Sequence, residues 1–129
     1  MKDVYEFDEL KACRLAIFHD YPEHLLSDIP HTCKKRLPLE FNKILEDLEV
    51  DIIRTDLNED LAIHYKELLE MSSVEGLVVA LADAYSVILF SNKEVLLGNK
   101  EYYENNVIPY TVERIDKIKI LLKPYLIKK

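Results

Sequence analysis

Three side chains in two separate segments are of the types that bind divalent cations. His19 and Asp20 are neighbours in "AIFHDYPEH", and Asp83 lies within "LVVALADAYSVILF". Neutral imidazole and carboxylate together suit zinc, manganese, iron, cobalt or nickel. Adjacent residues do not share a helix face, but at the end of a helix both can turn toward one cation. The alternative is structural: the histidine caps helix carbonyls, and the aspartate pairs with a buried arginine or lysine.

Two more acids and a basic cluster follow the histidine–aspartate pair. Glu23 lies three positions beyond Asp20, close enough to orient a metal-bound water or to take its proton. Asp28 lies in the same turn, and Lys34 begins the run "KKR", which could contact a phosphate group. The alternative is that these residues belong to a solvated surface. His64, on a polar helix flank, is expected on an exposed face.

The helix that presents the pair is predicted over residues 7–19. Apolar residues recur at helical spacing from Phe7 onward. The helix should end near His19 and Asp20, because Tyr21 precedes a proline and is pushed away from the α region. A short turn, "PEHLLSD", follows.

Asp83 is predicted to lie near the middle of the longest helix, over about 73–97. "SSVE" places Ser72 and Glu75 as a capping box at its start, and "GN" stops it. Nearly every other side chain around Asp83 is apolar or small, which is typical of a central helix, so we expect this carboxylate to be buried. The remaining helices are predicted over residues 38–53, 59–70 and 109–124, with a short helix or an irregular turn in "KEYYENNV".

The composition limits the fold class. The chain has 129 residues, which fits one domain over residues 1–129. It has only two glycines, whereas all-β folds need glycine at many tight turns. We therefore predict an all-α bundle of five or six helices. The net charge of −7 disfavours binding to a nucleic acid polymer.

Cysteine use and hydropathy bear on the location of the protein. No secretory signal precedes Cys13 or Cys33, so we expect two free thiols. The apolar run "LVVALADAYSVILF" contains an aspartate, and its fourteen residues are too few to span a membrane. We therefore expect a cytoplasmic protein that does not bind a membrane.

Taken in order, these fragments resemble one family. A helix ending in "HD", an acid soon after it, "SDIP…K", and a late "ADA" helix ending in "GN" are similar to the HD-domain metal phosphohydrolases. Within that superfamily they resemble the 5'-deoxynucleotidases, which are nucleoside 5'-monophosphatases. The matching residues are His19, Asp20, Glu23, Asp28, Pro30, Lys34, Ala82, Asp83, Ala84, Gly98 and Asn99. The resemblance covers the chain from residue 14 to about 105.

The resemblance implies an HD-domain-like fold and a divalent-metal-dependent phosphohydrolase. Its substrate would be a nucleoside 5'-monophosphate or a similar small phosphoester, and the metal could be Mn, Co, Fe, Ni, Zn or Mg. The implied roles are metal ligands (His19, Asp20 and Asp83), a residue that orients or deprotonates water (Glu23), one that positions the sugar or the nucleophile (Asp28), and one that neutralises phosphate charge (Lys34).

The chain departs from the family pattern in one respect. The family's metal set begins with a histidine on an earlier helix, and none of the eighteen residues before His19 is a histidine. Three interpretations follow: an N-terminal helix is missing, the site is degenerate, or His24, His31 or His64 supplies the imidazole. A missing helix would expose apolar surface and favour a homodimer.

Two other functions therefore remain open. One is a truncated or degenerate HD-like module that binds a nucleotide, a metal or a protein partner without turnover. The other is a structural helical subunit in which Asp83 pairs with Arg14 or Lys34. In that case loss of the carboxylate would leave a buried cation unpaired and strongly destabilise the fold.

Overall fold

The first helix, α1 (Glu9–Phe18), is capped by Asp8, whose side chain accepts a hydrogen bond from the Lys11 backbone N–H (3.0 Å). The structure is a computed structural model, which describes residues 6–126 without the side chains of residues 31 and 32. The ends of the predicted domain, residues 1–5 and 127–129, lie outside the described residues. As predicted, the helix ends at the histidine–aspartate pair: His19 is its C-cap and Asp20 lies in the following turn.

Two single helical turns lead from α1 to a pair of longer helices. The turns are α2 (Glu23–Leu26) and α3 (His31–Lys34), and the longer helices are α4 (Leu39–Asp56) and α5 (Glu59–Glu70). Pro38 precedes α4 as its N-cap instead of occupying its first position, and α4 continues beyond the predicted end at residue 53. The bounds of α5 agree with the prediction.

The central helix, α6 (Val74–Leu96), begins differently from the prediction. Ser73, not Ser72, is the N-cap, and its Oγ accepts a hydrogen bond from the Gly76 backbone N–H (3.1 Å). The predicted capping box is therefore wrong. Glu75 is buried, and its Oε1 accepts a hydrogen bond from the backbone N–H of Asp8 (2.9 Å), so this carboxylate connects α6 to the start of α1.

Both glycines of the chain have a local role at the ends of α6. A Cβ at Gly76 would lie only 3.1 Å from the Cα of Leu68, so glycine allows α5 and α6 to approach closely. Gly98 follows the C-cap with φ +104°, a left-handed conformation that glycine adopts without strain. The predicted stop at "GN" is confirmed.

The last part of the bundle is a nearly continuous helical segment. It comprises α7 (Lys100–Tyr102), a π-helix (Tyr103–Val107), α8 (Ile108–Leu122) and a 3₁₀ turn (Lys123–Tyr125). Pro109 lacks a backbone N–H and would crowd the carbonyl four residues earlier, so a wider turn before it is physically reasonable. The segment "KEYYENNV" is therefore helical rather than irregular.

The fold is all-α, as predicted. Residues 6–126 contain five helices of ten or more residues and no strand. Helix α6 packs against α1, α5 and α8, and α4 packs against α5. One buried cluster joins α1, α4, α5 and α6, and its buried members are Leu15, Val50, Ile53, Leu61, Ala62, Tyr65 and Val79. A second cluster joins α6 and α8, and its buried members are Leu77, Ala80 and Ile118.

Asp83 is not buried as predicted: its side chain is 37% exposed. Helix α6 is apolar around its circumference, but the described residues do not cover one of its faces, on which Val78, Ala82 and Ser86 are exposed. By length and composition alone α6 could cross a membrane, but 44% of its most apolar window is buried in the fold. The central helix of a globular bundle meets the same criterion, so this finding is weak evidence for a membrane span.

Candidate active site

His19 is held in one orientation by the last turn of α1. Its Nδ1 lies 2.9 Å from the carbonyl oxygen of Ala16, which fits a hydrogen bond donated by the ring. That bond directs the other ring nitrogen, Nε2, away from the helix, which is how metal-binding histidines are commonly fixed. Within the described residues, Nε2 is buried and has no hydrogen-bond partner. The ring therefore points Nε2 toward the neighbouring acidic side chains.

Two carboxylates lie next to this nitrogen. Nε2 is 3.2 Å from Asp20 Oδ1 and 3.6 Å from Asp83 Oδ1, contacts that lack the geometry of a good hydrogen bond. The Asp83 carboxylate is the main reason that the pKa of His19 rises to about 9, although burial lowers it. Asp20 adds to the rise. The three residues that the sequence singled out as metal ligands therefore do converge.

Arg114, on α8, also contacts the cluster, and sequence reasoning missed it. Its Nη1 lies 3.4 Å from Asp83 Oδ2, so the partner of this aspartate is neither Arg14 nor Lys34. The neighbouring His19 and then Arg114 hold the pKa of Asp83 below its ordinary value, against the effect of burial. Nothing in the sequence around Arg114 signals this role, because it depends on the packing of α8 against α6.

A cavity of about 260 Å³ gathers most of the predicted site residues. His19, Asp20, Glu23, Lys34 and Asp83 all line it, together with Arg114. They come from α1, the following turn, α2, α3, α6 and α8, which meet at this point. The cavity holds acids, an imidazole and two permanent cations in a small volume. Such a combination suits a ligand that carries negative charge and is bound partly through a cation.

The surroundings of Glu23 make its carboxylate more basic. Partial burial raises the pKa of Glu23, and the negative charges of Asp20 and Asp28 raise it further, whereas Lys34 lowers it. A carboxylate whose pKa moves toward neutrality holds a proton more strongly and is a better base at physiological pH. Its position at the start of α2 places it at the cavity wall.

Tyr65 and Glu49 form a second polar contact in the cavity wall that sequence reasoning also missed. The Tyr65 hydroxyl donates a hydrogen bond to Glu49 Oε2 (3.0 Å). Burial is the main reason that the pKa of Tyr65 lies above its ordinary value, so its hydroxyl keeps its proton. Tyr65 is buried in the core and also lines the cavity. It connects the core to the site.

Asp28 occupies a different position from the other candidates. It lines a neighbouring, larger cavity of about 640 Å³, which shares Lys34 and Arg114 with the first. Of the histidines considered as replacements for an upstream ligand, neither His24 nor His64 lines the smaller cavity. The side chain of the third, at position 31, lies outside the described residues.

The donors fit a divalent cation in type but are not yet arranged as a complete set. Neutral imidazole and two carboxylates are suitable ligands. The raised pKa of His19 keeps a proton on the ring at neutral pH, so a cation would have to displace that proton. Ligands of one such ion lie about 3 Å from one another when each is about 2.1 Å from the metal, which is close to the distances around Nε2. Among residues 6–126, however, no group of three or more His, Cys, Asp or Glu side chains is arranged so that it could hold a metal ion.

Comparison with known proteins identifies the family of the chain. A family model described as "5'-deoxynucleotidase YfbR-like" matches residues 2–125, almost the whole chain. No curated protein and no solved structure gives a significant match. The family is a member of the HD-domain superfamily, whose phosphohydrolases generally use divalent metals. The chain therefore belongs to the YfbR-like 5'-deoxynucleotidase family, as its resemblance to that branch predicted.

Proposed function

We propose that the protein is a divalent-metal-dependent phosphohydrolase that acts on a nucleoside 5'-monophosphate or a similar small phosphoester. The main supporting observation is that His19, Asp20, Glu23, Lys34 and Asp83 line one cavity, although Asp83 is far from the other four in the sequence. Family membership supports a phosphohydrolase of the 5'-deoxynucleotidase type. The identity of the substrate and of the metal belongs to the proposal.

In this proposal His19, Asp20 and Asp83 would hold the cation. A divalent metal in such a site lowers the pKa of a bound water and withdraws charge from phosphoryl oxygens. The chain prepares for this by fixing the imidazole through its contact with the Ala16 carbonyl. It also keeps the pKa of Asp83 low, so that this carboxylate is ionised at neutral pH.

The other residues divide the remaining chemistry among them. Glu23 takes a proton from water as the water oxygen attacks phosphorus and forms the new P–O bond. The bond from phosphorus to the 5'-oxygen breaks, and that oxygen takes up a proton from solvent, so that the nucleoside leaves as an alcohol. Lys34 and Arg114 line the same cavity and neutralise the negative charge of the phosphoryl group. Asp28, in the neighbouring cavity, accepts a hydrogen bond from a sugar hydroxyl. The products are inorganic phosphate and the nucleoside.

The direct test is phosphate release by the full-length protein. The protein is stripped of metal, reloaded with Mn²⁺ or Co²⁺, and given a panel of ribo- and deoxyribonucleoside 5'-monophosphates. We expect release that needs the added metal and that is abolished in Asp83→Asn. His24→Ala is the matched control, because His24 is an exposed histidine that does not line the cavity. Absence of release from every member of the panel, with folded protein, would overturn the proposal.

A second function has specific support. Asp83 pairs with Arg114 in this structure, and no three-ligand metal group is formed among the described residues. Both observations favour a degenerate HD-like module that binds a nucleotide without turnover. In that case nucleoside monophosphates would bind to the protein, and NMR spectra recorded over hours in the presence of Mg²⁺ would show no conversion of the nucleotide. Conversion to the free nucleoside would exclude this alternative.

We also infer a cytoplasmic location, since the family acts on small phosphorylated nucleotides. A small phosphorylated substrate is the partner that this proposal requires. The predicted homodimer remains a prediction.

A further inference from the structure

The larger cavity, of about 640 Å³, continues from the candidate active site along one face of the last helical segment. Tyr103, Val107, Tyr110 and Arg114 all line it and follow one another at intervals of four, three and four residues. Residues at this spacing lie on one side of a helix. A single stripe therefore runs from two aromatic rings to the arginine that contacts Asp83.

The ring of Tyr103 is held in place by other aromatic rings. It meets Tyr102 edge-to-face, with centroids 5.3 Å apart, and Phe90 in the same manner at 6.1 Å. Such pairs fix ring orientation and are favourable beyond their buried area. Tyr103 also begins the π-helix, an uncommon turn that is frequent at functional sites. The cavity lining thus includes an aromatic ring whose orientation is fixed.

Cations and aromatic rings line different parts of the cavity boundary. Lys34 and Arg114 also line the candidate active site, whereas Tyr102 and Tyr103 line only the larger cavity, together with Asn106 and the acids Asp28 and Glu46. A nucleotide has the matching arrangement, with an anionic phosphate at one end and an uncharged aromatic base at the other. All bases can stack on aromatic side chains, because every base has a π-face.

We propose that this cavity binds the base of a nucleoside 5'-monophosphate, which stacks on Tyr103 while its phosphate lies between Lys34 and Arg114. The sugar then lies beside Asp28, which lines the same cavity. The inference rests on the proposed function for the position of the phosphate. It adds a base-binding subsite built by the π-helix and α8, and it assigns substrate selection to residues that the sequence motifs do not include.

The test separates binding from catalysis. Saturation-transfer NMR is recorded on the metal-free, full-length protein with adenosine 5'-monophosphate, thymidine 5'-monophosphate and glycerol phosphate. For both nucleotides we expect stronger transfer to base protons than to sugar protons. Tyr103→Ala should raise the dissociation constant of both roughly tenfold, and Tyr103→Phe, which keeps the ring, should leave it within twofold of wild type. Tyr85→Ala removes a tyrosine that does not line the cavity and is the matched control.

Glycerol phosphate carries the phosphate without a base, so its binding should be the same in all these proteins. Equal weakening of glycerol phosphate and nucleotide binding in Tyr103→Ala would overturn the subsite, as would transfer confined to sugar protons. If Tyr103→Ala does not fold, intermolecular NOEs in wild-type protein decide the matter. Contacts between base and tyrosine ring protons support the subsite, and their absence contradicts it.

The subsite and the proposed hydrolysis can fail separately. Nucleotide binding that depends on Tyr103 without phosphate release would overturn the hydrolase and leave the subsite standing. Phosphate release whose KM for nucleotides is unchanged in Tyr103→Ala would overturn the subsite and leave the hydrolase standing.

Discussion

Two surfaces meet at Asp83, and they differ in what lines them. On one side is the small polar cavity of the candidate active site, with acids, His19 and two cations. On the other is a groove of about 620 Å³ between α1 and α6, lined mainly by apolar and small residues such as Phe7, Ala12 and Val78. His19 and Asp83 line both. The cavity is polar because charged side chains from several helices meet there. The groove is apolar and open because no described element covers that face of α6.

This difference predicts that substitutions will act differently on the two sides. In the cavity, one side chain contacts several charges, so a single change should alter binding or catalysis. In the groove, side chains already contact water, so a single change should alter little in an isolated chain. Each of the following experiments tests part of that contrast.

The largest effect is expected in the cavity from Glu23→Gln. The amide keeps the shape of the side chain but cannot take a proton, so kcat should fall roughly 100- to 10,000-fold. Steady-state phosphate release measures this, with circular dichroism to confirm the fold. Glu40→Gln, in the first turn of α4, is the control at an exposed glutamate. A kcat within a few-fold of wild type would exclude Glu23 as the base.

A smaller effect is expected from Arg114→Ala. Loss of one charge-assisted contact to the phosphoryl group should raise KM roughly tenfold. Arg114→Lys should recover part of this loss, because the positive charge remains while the planar fork is lost. The same variant removes the cation beside Asp83, so thermal unfolding should be measured in parallel. An unchanged KM would mean that Arg114 only pairs with the aspartate.

Tyr65→Phe should reduce stability rather than chemistry. It removes the hydroxyl that donates to Glu49 and leaves a part-buried carboxylate without that bond, at a cost of about 1 kcal/mol. Urea denaturation measures the free energy of unfolding, and kcat per folded molecule should be nearly unchanged. Tyr85→Phe, at a half-exposed tyrosine, is the control. A large fall in kcat at unchanged stability would show that the hydroxyl takes part in catalysis.

The smallest effect is expected in the groove, from Val78→Thr. The side chain keeps its shape and is 38% exposed, so the free energy of unfolding should change by less than about 0.5 kcal/mol. The melting temperature should be measured at two protein concentrations. A melting temperature that rises with concentration in wild type and not in the variant would instead support the homodimer predicted from the sequence, with this groove as its interface.

The sequence predicted the parts of the fold that depend on local signals. The end of α1 near the histidine–aspartate pair was predicted from Pro22, and the end of α6 was predicted from Gly98. Neighbouring signals can still compete. Two serines stand before α6, and the second caps it because Glu75 is drawn into the packing of α1 against α6.

The candidate site was also predictable only in part, because some of its residues have local sequence signals and others are brought together by helix packing. His19 and Asp20 were predicted as candidate ligands from their position at a helix end, and Asp83 was predicted from its unusual apolar surroundings. Its burial was overestimated, because an apolar sequence does not reveal which face another element will cover. The roles of Arg114 and the Tyr65–Glu49 pair depend on how distant helices pack, and no local pattern around them indicates it.

The proposed hydrolysis depends on one divalent cation held by His19, Asp20 and Asp83 at the polar cavity. This binding can be measured by titrating metal-free protein with Mn²⁺ and following the electron paramagnetic resonance of the free ion. We predict one bound Mn²⁺ per chain in wild type, and loss of that binding in His19→Ala and in Asp83→Asn but not in His24→Ala. Folded wild-type protein that leaves all of the Mn²⁺ free, or equal binding in all four proteins, would contradict the claim.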